Sequence, residues 1–399
     1  MSSTFIDRYL HHTSIYESPT SFWKWSSYAT IAGILRDNCY KRQGDGAIYT
    51  NIYVLFLAES SGHRKGPPVN LSEKLTFRIN NTKIISGRAS VQAIMDELSR
   101  AETDKITGKI LKAGSAIFYA PELSAGIVSD PEAFKILTDI YDYKPTPYKN
   151  RLRTGPCFTL DRIVFSMLAA SNIDMLKGSF NTAEVKGGLL ARTFLVTPNE
   201  FRPSNSLMRL DPAERKTSLE SVYKALEEIS RLKGEFLFDE SALKEYESWY
   251  DPFRQSYAKR KEASGVVGRV HTSVLKLAMI LAANENELFV RKEHVEQAIN
   301  ECMSLIPNYN TFTMATGKST ISEAGATVLA DLVAAPDHKL ERKLIVRRHW
   351  QDIEPELLDK VIVAFEQSGF IKQCVSANVV SYQLTDVAIA TLEEGQDRR

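Results

Sequence analysis

The sequence has few of the features that mark secreted, membrane-spanning or metal-binding proteins. Its 399 residues include only four cysteines, which are scattered without a C-x-x-C pair or a nearby pair of histidines. This pattern is typical of reduced thiols in a cytoplasmic protein and argues against a zinc site. The first residues, MSSTFIDRYLHH, lack the apolar segment of a signal peptide, and no apolar run is long enough to cross a bilayer. We therefore expect a cytoplasmic protein without a metal site built from a cluster of side chains.

The chain also has no excess of charge of either sign, no internal repeats and no low-complexity tracts. Lysine and arginine together number 50 and aspartate and glutamate 49, which gives a formal net charge of +1. A protein coated in positive charge is excluded, although a local basic patch is not. The composition, with 43% hydrophobic and 25% charged residues, is ordinary for a globular protein. The length predicts two or three domains.

Helices and apolar strands alternate in residues 51–206, which predicts an α/β core with a parallel sheet. The predicted strands are NIYVLFLA, KIIS, SAIFYA, IVFSMLAAS and ARTFLVTP. Residues 1–50 are predicted to form two helices and short strands, and residues 207–310 a helical region. A polar connector at 311–320 leads to residues 319–390, where three helices precede two strands. That layout predicts a winged-helix domain.

The one literal match to G-K-[ST], at residues 317–319, is predicted not to bind phosphate. Phe312 occupies the position of the first glycine, and a polar connector precedes the match where a phosphate-binding loop requires a buried strand. Thr320 and Glu323 are instead spaced as a capping box that begins the next helix.

A better placed loop, AESSGHRKGPPV at residues 58–69, follows the first buried strand. Aligning the P-loop consensus G-x-x-x-x-G-K-[ST] on Lys65 leaves both consensus glycines unmatched and puts Gly66 where a hydroxyl would hold Mg²⁺. The candidate nucleotide-binding residues are Gly62, His63, Arg64, Lys65 and Gly66. The two prolines that follow lack N–H donors. A phosphate site and an ordinary basic surface loop therefore both remain open.

The order of several segments resembles a phage and mobile-element family of helicase-like ATPases. The segments are YESPTSFWKWSSYATIAGILRD, IYTNIYVLFLAESSGHRKG, SAIFYAPELS, KILTDIYDYKPTPYKNRLRTG, FSMLAASNIDML, KGGLLARTFLV and RVHTSVLKLAMILAA, within about residues 16–305. The resemblance implies a P-loop NTPase of the RecA/AAA+ type that binds ATP and Mg²⁺, forms a ring such as a hexamer, and acts on DNA. A primase or another replication protein is an implied partner. With a winged helix added, the layout is similar to that of MCM-type replicative helicases.

The resemblance also implies roles for four residues outside the loop. Glu122 would polarise the attacking water, although Pro121 replaces the aspartate that usually organises Mg²⁺, so that nucleotide and water would hold the metal. Asn172 would orient that water. Arg192 would reach the nucleotide of a neighbouring subunit, and Arg269 would sense phosphate from the helical region. The alternatives are a surface glutamate, a turn asparagine and arginines in surface ion pairs.

A basic segment, KPTPYKNRLRTG at residues 144–155, precedes the strand that ends near Asn172. Its four cations, with tyrosines nearby and no acid among them, are Lys144, Lys149, Arg151 and Arg153. The resemblance places a pore hairpin here, and such a hairpin would suit single-stranded DNA through charge neutralisation and base stacking. A solvated charged loop is the alternative.

These patterns predict a ring-forming, ATP-dependent DNA translocase or helicase of a phage or mobile element that acts in DNA replication. A ring or adaptor protein that loads DNA without hydrolysing ATP remains an alternative, because the loop departs from the consensus. A sequence-specific initiator acting through the winged helix is a third possibility. The presumed recognition helix opens with Glu354 and Glu356, which favours protein docking or regulation over base reading.

Overall fold

The computed structural model divides the chain into two compact units, Met1–Thr316 and Gly317–Arg399, each with its own hydrophobic core. It describes residues 3–59, 63–79, 82–103, 110–111, 114–123, 127, 130–144, 146–150, 158–160, 162–172, 176, 188–198, 200, 202–205, 211–257, 265–309, 312, 320–350, 353–376 and 379–389. The three regions delimited before the polar connector all contribute to the core of the first unit.

The described part of the first unit contains helices distributed along the whole unit. They are α1 (Phe5–His12), α2 (Thr20–Leu35), α3 (Gly66–Ile79), α4 (Val91–Ser99), α5 (Pro131–Asp139), α6 (Pro212–Ile229), α7 (Glu240–Tyr257), α8 (Val270–Asn284) and α9 (Lys292–Ser304). Within the described ranges, no helix is both long enough and apolar enough to cross a membrane.

The strands of the first unit are numbered along the chain. They are β1 (Cys39–Gln43), β2 (Gly46–Tyr49), β3 (Tyr53–Leu57), β4 (Lys83–Ser86), β5 (Glu102–Thr103), β6 (Ile110–Leu111), β7 (Ser115–Ala120), β8 (Tyr148–Asn150), β9 (Phe158–Leu160), β10 (Val164–Ser171), β11 (Thr193–Val196), β12 (Gly234–Glu235), β13 (Leu237–Phe238) and β14 (Phe289–Val290).

Five of these strands form one parallel sheet in the order β11-β3-β10-β7-β4. The prediction of an α/β core with a parallel sheet is confirmed. Strands β3, β7 and β10 are buried along their whole length, which explains why their sequences are continuous apolar runs and not alternating patterns. Parallel strands all end at the same edge, so the segments that leave them are brought together there.

Helix α2 lies at the centre of the unit and is buried on every side from Trp25 to Leu35. A helix that is apolar all round belongs in a core, since it has no face to offer to water. Its contact with the sheet is close: a β-carbon at Gly33 would lie only 2.6 Å from Cδ1 of Ile117 in β7. Glycine at this position allows α2 to pack tightly against the sheet.

The prediction that residues 207–310 are purely helical is wrong in one respect, because β12, β13 and β14 lie between the helices. Strand β12 pairs in parallel with β1, where Cys39 faces Gly234, and β13 pairs with β14. Two-residue strands leave almost no pattern in a sequence, and the pairing that forms them comes from distant parts of the chain.

The second unit contains three helices and a three-stranded antiparallel sheet. Its elements are α10 (Thr320–Ala334), β15 (Lys339–Glu341), α11 (Arg342–His349), α12 (Pro355–Gln367), β16 (Ile371–Ser376) and β17 (Val379–Leu384). The sheet order is β15-β17-β16. The three helices and the last two strands were expected, whereas β15 was not. Residues from all of these elements form its core, among them Val328, Leu340, Ile345, Val361 and Tyr382.

Candidate functional site

Three adjacent strands of the sheet end at one level, and each is followed by a candidate residue. In the register of the sheet, Leu57 at the end of β3 faces Ser171 of β10, while Ala120 at the end of β7 faces Ala169. Strand β10 therefore lies between β3 and β7, and its last residue precedes Asn172. We call this side of the sheet the carboxyl edge.

Lys65 and Glu122 lie near each other at the carboxyl edge, on either side of β10. The Lys65 Nζ donates to the backbone carbonyls of Ala58 (2.6 Å) and Glu59 (2.9 Å), which immediately follow β3. Burial lowers the pKa of Lys65, and the nearby carboxylate of Glu122 acts in the opposite direction. The structure thus brings together a partly desolvated ammonium group and an exposed carboxylate.

Helix α3 begins at Gly66, directly after the lysine, so its amino end is also at the carboxyl edge. The positive end of a helix dipole and its free N–H groups favour an anion at this position. The next two residues are prolines, which suit the first turn of a helix but contribute no N–H donor. The loop therefore offers an anion fewer backbone donors than a consensus P-loop would. Gly62 lies outside the described residues.

Arg64 and His63 occupy the same loop, but Arg64 is directed elsewhere. The Arg64 guanidinium forms an ion pair with Glu17 at 2.7 Å, and its backbone has φ of 43°. The Arg64 carbonyl also accepts a hydrogen bond from Ser18 at 2.8 Å. The expectation that Arg64 reaches a phosphate therefore finds no support in this arrangement. His63 lies in the turn just before it and is half-buried.

The carboxyl edge offers poor ligands to a divalent cation. Gly66 and Pro121 occupy the positions where a hydroxyl and a carboxylate would be expected, and neither residue carries a side-chain oxygen. Within the described ranges, no group of three or more His, Cys, Asp or Glu side chains could hold a metal ion. A protein-held Mg²⁺ does not fit this site.

The two candidate arginines lie at the opposite side of the sheet, which we call the amino edge. Arg192 immediately precedes β11, and Arg269 immediately precedes α8. Both guanidiniums donate to the same oxygen, Oδ2 of Asp142: Arg192 through Nη2 at 2.8 Å and Arg269 through Nη1 at 2.9 Å. Burial acts to raise the pKa of Asp142, but the two arginines outweigh it and hold the pKa below its ordinary value.

The arginines are therefore separated from Lys65 by the length of the strands. Strand β3 has five residues, which at a rise of about 3.3 Å per residue span roughly 15 Å. The structure does not bring Arg192 or Arg269 to the loop that contains Lys65.

Beneath the arginines lies a buried polar cluster that the sequence did not indicate. The Lys276 Nζ donates to the backbone carbonyl of Asn51 (2.8 Å) and to its Oδ1 (2.7 Å), and it lies 4.2 Å from the centroid of the Tyr141 ring. Burial lowers the pKa of Lys276 to about 7. The Asn51 amide in turn donates to the carbonyls of Tyr141 and Phe165. A single lysine inside the apolar run VLKLAMILAA was the only visible signal.

The predicted hairpin also lies at the amino edge, because β8 and β9 pair antiparallel just before β10 begins. Lys149 in β8 is exposed, and within the described part of the chain it forms no ion pair. Lys144 is exposed too and forms a long ion pair with Asp139 at 3.6 Å. Arg151 and Arg153 lie outside the described residues.

No protein-family model matches the chain, and no curated protein matches it either. The functional argument therefore depends on the geometry of the two edges.

Proposed function

We propose that the protein is a ring-forming ATP-dependent translocase or helicase that acts on single-stranded DNA during replication of a phage or mobile genetic element. One observation carries this proposal: Lys65 and Glu122 approach each other at the carboxyl edge, with Asn172 at the end of the strand between them. In α/β sheets, ligands bind at this edge of the strands. A nucleotide triphosphate is a substrate whose charge and size suit a lysine beside the first turn of a helix.

The chemistry assigned to this site is the transfer of a phosphoryl group to water. Lys65 would exchange its two backbone carbonyl partners for phosphate oxygens, whose negative charge would oppose the lowering of the lysine pKa by burial. Glu122 would accept a proton from the attacking water, and Asn172 would orient that water. No step is assigned to a metal held by side chains, because the site lacks the ligands.

The fold supports the same assignment at a coarser level. Counted in chain order, the five parallel strands follow the order 5-1-4-3-2, which is compatible with a RecA/AAA+-type P-loop core. Helices α6 to α9 would correspond to the helical region beyond such a core. In the second unit, the order of three helices and an antiparallel sheet is compatible with a winged helix.

The amino edge supports the ring. A head-to-tail contact between copies places one surface of a subunit against a different surface of its neighbour. Arg192 lies far from the loop of its own subunit, which suits an arginine that completes the site of the next one. In the ring, Asp142 would hold Arg192 and Arg269 in place until a neighbour's phosphate competes for them.

The hairpin supports contact with DNA. Its exposed Lys149 lies on β8, which pairs with β9, and β9 precedes β10, the strand that leads to Asn172. Phosphate contacts of this kind bind a backbone without reading its sequence.

A steady-state ATPase assay, with and without single-stranded DNA, tests the proposal. We expect DNA-stimulated turnover in the unaltered protein, and a fall of at least about 100-fold in kcat/KM for Lys65→Ala and for Glu122→Gln. Lys74→Ala, on an exposed position of α3, and Glu132→Gln, on an exposed position of α5, are matched controls that should keep full activity. Absence of turnover, or turnover that neither substitution at the site reduces, would contradict the motor.

A specific observation favours a second candidate, a ring or adaptor that loads DNA without hydrolysis. The Lys65 ammonium is already satisfied by Ala58 and Glu59, and the positions of the metal-binding hydroxyl and carboxylate are filled by glycine and proline. Binding of a fluorescent ATP analogue separates the candidates. Tight binding lost in Lys65→Ala, but without phosphate release by the unaltered protein, would identify the adaptor.

A further inference from the structure

We propose that the second unit binds single-stranded nucleic acid in a basic groove beside α11 that carries an exposed tryptophan. The groove has a volume of about 820 Å³ and lies between α11 and the start of β17. It is lined by Arg342, Lys343, Val346, Arg347, Trp350, Val379 and Val380. We call it the α11 groove. It is independent of the nucleotide site and of the proposed motor activity.

Helical spacing explains why these side chains share one groove. Residues 343, 346, 347 and 350 recur three or four positions apart, so they lie on one face of the helix and its last turn. Ile345 points into the core and is fully buried, while Val346 and the two valines of β17 form an apolar floor. The groove is therefore apolar at its base and cationic along its rim.

Trp350 is the feature that favours a nucleic acid over other polyanions. It is 69% exposed, whereas Trp23 and Trp25 of the first unit are buried. An unpaired base stacks on such a ring with little dependence on its identity, and neighbouring cations neutralise the phosphates that follow.

The cations of the groove are available to a phosphate backbone. Arg347 is exposed, and within the described part of the second unit it forms no ion pair. Lys343 pairs with Glu341 at 3.0 Å, but 73% of its side chain is exposed, and exposed pairs of this kind are weak and easily displaced. Arg342 is paired with Asp359 and contributes less to the free charge.

The charge of the neighbouring helix argues for a single strand and against duplex docking. Helix α12 begins with Glu356 in its first turn after Glu354, and it carries Asp359. A helix with this acidic end would be repelled by the phosphates that flank a major groove. The cationic groove lies on α11 instead, where an extended strand can bind without α12 entering a duplex.

The test uses the full-length protein without nucleotide and follows tryptophan fluorescence during titration with 12-nucleotide oligothymidylate and oligouridylate at low salt. We expect quenching that is lost in Trp350→Phe, a variant that keeps an aromatic ring and should bind with nearly unchanged affinity in a separate anisotropy assay. Comparison of the two oligonucleotides shows which sugar the groove prefers. The loss of signal in Trp350→Phe assigns the quenching to this groove and not to the hairpin of the first unit.

Two further variants and a matched control determine the outcome. Trp350→Ala should weaken binding about tenfold, and Arg347→Glu should weaken it several-fold and lower the dependence on salt concentration by about one ion. Lys372→Glu makes the same change of charge in the same unit at an exposed position outside the groove, and it should bind nearly as the unaltered protein does. The proposal is overturned if Trp350 is not quenched, if polyglutamate quenches it as effectively per charge, or if duplex DNA binds more tightly than single strands.

Discussion

The two edges of the central sheet hold cations in contrasting ways. At the carboxyl edge, Lys65 is held by two neutral backbone carbonyls, with the exposed Glu122 nearby. At the amino edge, Arg192 and Arg269 are held by the carboxylate of Asp142. The hydrogen-bond partners of the lysine carry no formal charge, whereas the arginines share one carboxylate, which balances one of their two positive charges.

This difference indicates which edge can bind an anion without a second copy of the chain. At the carboxyl edge the Lys65 ammonium is hydrogen-bonded to neutral carbonyls beside a helix amino end, so a phosphate can replace these carbonyls without displacing a carboxylate from the ammonium group. At the amino edge an anion must first displace Asp142 from Arg192 and Arg269. We expect only an anion held close to the arginines by another molecule to compete with Asp142. The comparison therefore predicts that the first edge acts within its own subunit and the second edge acts on a neighbour.

The largest expected effect is the recovery of ATP turnover when two inactive variants are mixed. Without recovery, the assignment of the amino edge to a neighbouring subunit would lose its support. Arg192→Ala alone should lower ATP turnover by about 10³-fold, as loss of an arginine in trans does, and Lys65→Ala should be equally inactive. When the two inactive proteins are mixed one to one, sites that combine an intact Lys65 with a neighbour's intact Arg192 should form, at about a quarter of positions in a head-to-tail ring. Recovered turnover in the mixture, measured as phosphate release, checks the prediction.

The control for this experiment is Arg192→Ala mixed with Arg192→Ala,Lys65→Ala protein, in which no complete site can form. Circular dichroism of each protein should show unchanged folding. If the mixture of single variants stays as inactive as this control, Arg192 acts only within its own subunit or supports the fold.

Lys276 gives the next largest effect and concerns the stability of the amino edge. Lys276→Met leaves both oxygens of Asn51 without their donor, which should lower the free energy of unfolding at pH 7 by about 2 kcal/mol. Urea unfolding followed by circular dichroism measures this loss. Lys74→Met, at an exposed position of α3, is the control and should change stability little.

The same variant predicts a pH dependence with a defined sign. Burial is the main cause that lowers the pKa of Lys276 from 10.5 to about 7, with Asp142 acting to raise it and Arg269 and Arg192 to lower it. Between pH 7 and 10.5 the unfolded chain therefore binds more protons at this residue than the folded protein, so its contribution to stability rises with pH. The stability difference between the unaltered protein and Lys276→Met should widen from pH 7 to pH 9. A constant difference would show that Lys276 is fully charged in the fold.

The hairpin gives a smaller effect, because a single exposed cation contributes one contact among several. Lys149→Glu should weaken binding of single-stranded DNA about three- to tenfold and reduce the salt dependence by about one ion, equally for all sequences. Fluorescence anisotropy over a series of salt concentrations measures both. Lys135→Glu, the same change at an exposed position of α5, should have a much smaller effect. Equal losses in the two variants would assign the effect to net charge and not to the hairpin.

The sequence predicted the features of this molecule that depend on local periodicity. The buried strands of the sheet carry continuous apolar runs, and their positions agree with those expected to within about two residues. The meeting of Lys65 and Glu122 followed from the rule that parallel strands end at one edge. The separation of the edges could not be predicted, because Asp142 pairs with two arginines that follow it by 50 and 127 residues.

Other features could not be predicted from the sequence because they depend on pairing between distant parts of the chain. Strands β12 and β15 have two or three residues each and exist only through their partners. The cluster around Lys276 joins α8 to Asn51, two residues before the first core strand. In the sequence its lysine is a single polar residue within a core helix. The ion pair of Arg64 with Glu17 joins the loop to the segment between α1 and α2. No short-range pattern records such contacts.

Substitution of Arg64 is expected to have the smallest effect on stability and on KM, and it tests which cations of the carboxyl edge contact phosphate. Two cations are adjacent in its loop, yet Lys65 lies beside the open helix end and Arg64 is paired with Glu17. The Arg64 side chain is half-exposed, and without it Glu17 keeps its hydrogen bond from the Asn205 backbone N–H. Arg64→Ala should therefore unfold at nearly the same urea concentration as the unaltered protein. If Arg64 stays paired with Glu17 when nucleotide binds, this variant should also keep KM for ATP within about twofold. Loss of a phosphate contact made in both the ground state and the transition state would raise KM well beyond that. A rise of tenfold or more, with Glu17→Ala showing no such rise, would mean that Arg64 leaves its partner when nucleotide binds, and that both cations of the loop belong to the phosphate site.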